Sequence, residues 1–88
     1  MRIKEGYMLR ETGDSRMVVA CEPNAGSFRG MIRLNQSAAM LYRMLERGAT
    51  EDQLTDALLR TYRVDEPRAR ADVVAFLALL ADPGLLTD

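Results

Sequence analysis

The sequence predicts an α+β fold in which a three-stranded antiparallel sheet is followed by three α-helices. Before residue 35, apolar and polar residues alternate with the two-residue period of half-buried strands. After that position, apolar residues recur with the 3.6-residue period of amphipathic helices. The 88 residues suffice for one hydrophobic core, so we expect one domain over residues 1–88.

Three segments predict the sheet. A strand over residues 7–12 reaches a turn at Thr12-Gly13-Asp14-Ser15, and a second strand returns over residues 16–21. A loop over residues 22–27 leads to a third strand over residues 28–34, which as an outer strand would keep an unpaired backbone edge. Small or apolar residues occupy one face of this strand and arginines and a methionine the other: Phe28, Gly30, Ile32 and Leu34 against Arg29, Met31 and Arg33.

Each of the three helices begins at a capping signal. Asn35 starts the first, which ends at Gly48; Thr50 and Gln53 form a capping box for the second. Asp65 caps the third, which we expect to reach residue 82. The predicted buried stripes are Ala38, Leu41, Tyr42 and Leu45, then Leu54, Ala57, Leu58 and Tyr62, and finally Ala69, Val73, Phe76, Leu77 and Leu80.

The third helix is apolar around more of its circumference than a small core can cover. Two interpretations remain open, a partner that covers the extra surface or an alanine-rich face in water. We expect Leu85 and Leu86, after the helix, to fold back as a short apolar tail. The extra apolar positions are Val74, Ala75, Ala78, Leu79 and Ala81.

Composition argues against an enzyme. The chain has no histidine, the commonest general base and metal ligand, and its carboxylates concentrate at helix starts, where they act as caps. Cys21, its single cysteine, cannot form an internal disulfide or a zinc site and is interpreted as a small strand residue. We therefore expect no catalytic residue, no cofactor and no metal. Without a signal peptide or a membrane-length apolar run, the expected location is the cytoplasm.

The charge balance bears on possible partners. Twelve basic and thirteen acidic residues give a net charge of −1, which disfavours nucleic acid as a partner. The order of elements nevertheless permits a winged-helix-like arrangement, so a DNA-binding regulator is one alternative function. The arginines define either a solvated rim or a surface for an acidic segment of another chain. They cluster at Arg29, Arg33, Arg60, Arg63, Arg68 and Arg70.

Six short motifs follow one another in a distinctive order: Phe28-x-Gly-Met-Ile-x-Leu-Asn35, Leu41-Tyr42-x-x-Leu45, Gly48-Ala49-Thr50, Tyr62-x-Val64-Asp65, Asp72-Val73-x-x-Phe76-Leu77-x-x-Leu80 and Gly84-Leu85-Leu86. Together, from Ile3 to Leu86, they resemble the PqqD-like proteins, which are also called RiPP recognition elements. These are peptide-binding modules of ribosomal peptide natural product pathways.

The resemblance implies a winged-helix-like, non-catalytic domain that binds the leader of a precursor peptide and presents it to a modifying enzyme, frequently a radical SAM protein. It implies that the leader adds as a strand to the edge of the third strand and lies beside the third helix. Leaders in such systems tend to be acidic, so arginines beside the groove would pair with their carboxylates. The implied site residues are Arg29, Met31, Ile32, Arg33 and Leu34 on the strand and Arg68, Asp72, Ala75, Phe76 and Leu79 on the helix.

The chain also departs from the family pattern. Tyr42 stands where tryptophan is common, and residues 22–30 differ from the proteins that serve coenzyme PQQ assembly. The apolar residues Val74, Ala75, Ala78 and Leu79 replace usually polar ones. They indicate an enzyme-docking face, a homodimer contact or a more hydrophobic leader, and a structural dimerisation module built on the third helix is a further alternative function.

Overall fold

The computed structural model describes residues 1–20, 31–81 and 84–87, and for Met31 only the backbone. Cys21, the predicted loop over residues 22–27 and residues 28–30 of the third predicted strand, including Arg29, lie outside the described residues. The predicted α+β class and the order of sheet and helices are confirmed. The elements are β1 (Arg2–Ile3), β2 (Tyr7–Thr12), β3 (Ser15–Ala20), β4 (Met31–Arg33), α1 (Gln36–Arg47), α2 (Glu51–Thr61), α3 (Glu66–Ala81) and β5 (Leu86–Thr87).

The hairpin of β2 and β3 forms the first part of the sheet. Strand β2 has the predicted bounds, and β3 begins one residue earlier than predicted because Ser15 pairs with Thr12 across a two-residue turn. Gly13 in that turn has a φ of +58°, while no non-glycine residue described has a positive φ. Glycine at the first central position is the requirement of a type II′ turn, which matches the twist of the flanking strands.

Strand β4 is the last strand of this sheet, in the order β2-β3-β4. Its described part ends at Arg33, although the Leu34 N–H still donates to the Arg16 carbonyl at 2.8 Å. Leu34 is buried and Arg33 exposed, as the predicted alternation requires. The strand stops because Asn35 is the N-cap of α1.

All three predicted helix starts are confirmed. The Asn35 Oδ1 accepts from the Ala38 N–H at 2.8 Å, and the Asp65 Oδ1 accepts from the Arg68 N–H at 2.9 Å. Both hydrogen bonds of the Thr50 and Gln53 capping box are present, at 2.9 and 3.1 Å. These side chains satisfy first-turn N–H groups that have no partner within the helix.

The core lies where the three helices meet one face of the sheet. All three predicted stripes need correction. In α1, Ala39 is buried and Ala38 only half-buried; in the second stripe, Thr55 is buried while Ala57 and Tyr62 are half-buried; in α3, Leu77 is half-buried. Thr55 tolerates burial because its hydroxyl donates to the Glu51 carbonyl at 2.9 Å. The main buried side chains are Val18, Leu34, Leu41, Tyr42, Leu45, Leu54, Leu58, Ala69, Val73, Phe76, Leu80 and Leu85.

The two ends of the described chain form a second, very small sheet. Strands β1 and β5 are antiparallel, with Ile3 opposite Leu86, and the Lys4 N–H donates to the Leu85 carbonyl at 2.7 Å. Leu85 is fully buried, so the predicted folding back of the apolar tail is confirmed. The pairing with β1 was not predicted, because two-residue strands carry no periodic signal. No helix in the described part of the chain is long and apolar enough to cross a membrane.

Candidate functional site

The free edge of β4 is the first component of the site. The Leu34 N–H donates to the Arg16 carbonyl, so Arg16 and Leu34 occupy a hydrogen-bonding position of the ladder, and in an antiparallel ladder every second pair of residues does so. Ile32, opposite Val18, therefore also bonds to β3, whereas the N–H and C=O groups of Met31 and Arg33 point away from it. Within residues 1–20, 31–81 and 84–87, no strand pairs with that outer edge.

A groove of about 450 Å³ lies beside the end of β4, between the first turns of α1 and the exposed side of α3. Four of its lining side chains are apolar and buried, namely Leu34, Leu41, Leu58 and Phe76, and Leu79 is 47% exposed. The groove thus offers an apolar floor to a side chain that enters from solvent. The lining residues are Arg33, Leu34, Asn35, Ser37, Ala38, Leu41, Leu58, Arg68, Asp72, Ala75, Phe76 and Leu79.

The charged groups of the groove lie at its rim. The Arg68 Nε is 3.5 Å from the Asp72 Oδ1, and both side chains are more than half exposed. A solvent-exposed pair of this kind contributes little, and arginine preceding aspartate by four residues is the less favourable order on a helix. Arg33 forms no ion pair with the residues described. Both arginines are thus available to carboxylates of a bound chain.

A smaller hollow of about 160 Å³ continues from the groove toward the loop between α2 and α3. It shares Ser37, Leu58 and Asp72 with the groove, and Tyr62 and Val64 complete it. The predicted site omitted the contribution of α1 and α2. Their residues carry no sequence signal for binding, since Leu41 and Leu58 look like ordinary core positions and reach the groove only through helix packing.

The structure brings seven of the predicted site residues into this one groove: Arg33, Leu34, Arg68, Asp72, Ala75, Phe76 and Leu79. Met31 contributes backbone groups to the edge beside them. Ile32 belongs to β4 but packs against the core and does not line the groove. Arg29 lies outside the described residues.

The predicted arginine cluster is divided by the fold. Arg33 and Arg68 line the groove, but Arg60 pairs with Asp56 at 2.9 Å on a different surface. Arg70 ties α3 to the start of α2, at 2.8 Å from Glu51 and 3.1 Å from Asp52. These hydrogen bonds, first to Glu51 and then to Asp52, raise the pKa of the Arg70 guanidinium above its ordinary value. Arg70 is thus engaged in contacts between α3 and α2 and does not line the groove.

Metal-ligating side chains form no candidate site among the described residues. In the part of the chain that the structure describes, no three His, Cys, Asp or Glu side chains are grouped so that they could hold a metal ion. The acidic residues near the groove have other roles, since Asp65 caps α3 and Asp72 faces Arg68.

Comparisons with known proteins identify similar chains. The family model for coenzyme PQQ synthesis protein D (PqqD) matches residues 18–86. The solved structure of TbiB1 in complex with the TbiA(beta) leader peptide has a TM-score of 0.77 and 22% identity, with all of both chains covered. A lasso peptide synthetase B1 complexed with the leader peptide also has a TM-score of 0.77, at 18% identity, with 99% of this chain and 96% of that chain covered. At these identities the two structures establish a shared fold.

Proposed function

Because the chain belongs to the PqqD family, we propose that it binds the leader segment of a ribosomally made precursor peptide and presents it to a modifying enzyme. The observation that carries this proposal is the outer edge of β4, which pairs with no other strand described, beside an apolar groove. The two similar structures contain leader peptides, which supports the same class of ligand for this chain.

We propose that the leader binds by strand addition. Its backbone would pair with the outward N–H and C=O groups of Met31 and Arg33, which gives affinity with little demand on sequence. Because side chains alternate along a strand, every second leader residue would face the groove. An apolar leader side chain would lie over Phe76 and Leu79, and leader carboxylates would pair with Arg33 and Arg68.

We assign no catalytic step to this chain. The chemistry belongs to the modifying enzyme, for which the family resemblance indicates a radical SAM protein. This chain would then raise the local concentration of the precursor at the enzyme, since a leader held on the domain keeps the remainder of the precursor nearby.

Amide hydrogen exchange tests strand addition directly. Synthetic leaders from precursor reading frames encoded beside this chain would be added to the isotopically labelled protein. We expect the Arg33 N–H to exchange rapidly alone and slowly with a leader, whereas the N–H groups of Ile32 and Leu34 are protected in both states. Leader binding without new protection at Arg33 would contradict strand addition, and affinity for duplex DNA that falls steeply with salt would favour a regulator instead.

Charge reversal tests the rim arginines. We expect Arg33→Glu and Arg68→Glu each to weaken leader binding by roughly fivefold or more, since each replaces an attraction by a repulsion. Arg10→Glu is the matched control, because Arg10 is an exposed arginine on β2, at the opposite edge of the sheet. Unchanged affinity in both groove variants would refute the pairing with leader carboxylates.

A further inference from the structure

A second concave surface lies on the other side of α1, and we call it the α1–α2 basic surface. One hollow of about 420 Å³ separates α1 from the hairpin end of β2 and β3, and another of about 510 Å³ separates the end of α1 from α2. The two hollows share Met44 and Arg47, so they form one continuous surface. Its charged and long side chains are Glu11, Arg16, Met40, Arg43, Met44, Arg47, Asp56 and Arg60.

This surface is positive although the whole chain carries a net charge of −1. It contains four arginines and two carboxylates. Glu11 accepts from Arg43 at 2.7 Å and lies 3.8 Å from Arg16, and Asp56 is occupied by Arg60 at 2.9 Å. Arg47 is exposed and pairs with no carboxylate among the residues described. The surface therefore has positive charge left over for an acidic partner.

Two methionines give the same surface an apolar centre. Met40 and Met44 are half-buried, one turn apart on α1, and each borders a hollow. The Met40 Sδ accepts from the Thr61 hydroxyl at 3.7 Å, which links the two helices. Methionine side chains adapt to differently shaped apolar groups. They therefore favour a protein partner over a simple anion as the ligand of this surface.

The two surfaces lie on nearly opposite faces of α1. On α1, the groove is lined by Ser37, Ala38 and Leu41. The α1–α2 basic surface is lined by other residues of the same helix, the first of which is Gln36 and the last Arg47. At about 100° per residue, the centres of the two faces are roughly 140° apart around the helix axis. A ligand in the groove and a partner on the basic surface can therefore bind at the same time.

We propose that the α1–α2 basic surface docks an acidic segment of the modifying enzyme that carries apolar side chains. The identity of this partner rests on the proposed function, since only a leader-presenting domain needs a second, independent surface for the enzyme. Acidic side chains of the segment pair with Arg47 and Arg43, and its apolar side chains pack between Met40 and Met44.

The first experiment uses a short synthetic peptide of repeated Glu-Glu-Leu-Leu units and backbone NMR of the intact chain. The peptide is expected to shift the amide signals of Met40, Met44 and Arg47 and to leave those of Arg33 and Leu34 unchanged. Polyglutamate and inorganic polyphosphate are expected to bind at least tenfold more weakly. Equal binding of these anions, binding of the peptide in the groove or no shift at all would overturn the proposal.

The second experiment uses variants. Arg47→Glu is expected to weaken peptide binding roughly fivefold, since it reverses one exposed charge contact. Arg63→Glu, which changes an exposed arginine outside the surface, is expected to leave peptide binding unchanged. In a modification reaction reconstituted with the enzyme encoded beside the precursor, Arg47→Glu is expected to slow modification while leader affinity is unchanged. An unaltered rate would overturn enzyme docking. Failure of the wild-type chain to bind leader would refute the proposed function and with it the identity of the partner, whereas the binding of an acidic, apolar segment is tested separately by the peptide.

Discussion

A proline at Arg33 isolates the backbone contribution of the β4 edge. The Arg33 N–H points away from β3, so its loss breaks no hydrogen bond between β3 and β4. Proline is tolerated on an edge strand where the missing N–H would face solvent. Residue 32 becomes restricted to extended conformations, which it already adopts in β4. We therefore expect Arg33→Pro to fold with nearly unchanged stability.

The expected cost appears in leader binding. One backbone hydrogen bond contributes about 0.5–1.5 kcal/mol net, which corresponds to roughly twofold to tenfold in affinity. The proline also removes the guanidinium group, so Arg33→Ala is the matched reference that lacks the charge and keeps the N–H. Arg33→Pro should then bind leader roughly fivefold more weakly than Arg33→Ala.

Fluorescence anisotropy of a labelled leader measures both affinities, and urea denaturation measures both stabilities. Ile32→Pro serves as the contrast, since it leaves the Val18 carbonyl without its β4 partner and should destabilise the fold by about 1–3 kcal/mol. Equal leader affinity of Arg33→Pro and Arg33→Ala would refute the assignment of the Arg33 N–H to the binding edge.

Four further substitutions test the groove and the fold that supports it. Leu80→Ala should cost about 2–5 kcal/mol of unfolding free energy because Leu80 is fully buried. Leu79, the neighbour of Leu80, is exposed and lines the groove. Leu79→Ala should therefore lower the unfolding free energy by less than about 1 kcal/mol, measured by denaturation, yet weaken leader binding, measured by anisotropy. Gly48→Ala should destabilise by about 1–3 kcal/mol in urea denaturation, because the Gly48 φ is +94° and an added Cβ would lie 3.3 Å from the Arg2 Cγ. The Arg43 hydrogen bond, followed by the Arg43 and Arg16 charges, lowers the pKa of Glu11 below 4.5. Glu11 therefore adds stability above pH 4.5 that is lost as the pH falls through the lowered pKa, and Glu11→Gln should destabilise the chain at pH 7 but not in strong acid.

Local structure was predictable because its causes are local. The caps at Asn35, Thr50 and Asp65 each depend on a side chain that accepts from a backbone N–H three residues later. The residue types and their spacing in the sequence are therefore enough to predict them. The β2–β3 hairpin is likewise specified by alternation and a glycine in a two-residue turn. The corrections at Ala39 and Thr55 arise where packing with another element, rather than helix periodicity, selects which residue is buried.

The candidate site was only partly predictable. The strand and the third helix carry recognisable motifs, so Arg33, Phe76 and Leu79 were expected near one another. Leu41 and Leu58 reach the groove through the packing of α1 and α2, for which no local pattern exists. The arginines illustrate the same limit. Their nearness along the chain predicted one cluster, but in the structure Arg70 forms ion pairs with Glu51 and Asp52, away from the groove.

The sequence by itself determined the α+β class, the helix starts, the first hairpin and the family. Each depends on contacts within a few residues or on a motif that can be read in order. Only the tertiary structure decided that the outer edge of β4 has no strand beside it among the described residues, and that α1 separates the groove from the α1–α2 basic surface. It also decided the pairing of β1 with β5, which are joined only when the core brings the two ends together. Such features depend on contacts between distant residues, and sequence periodicity does not encode which distant residues meet.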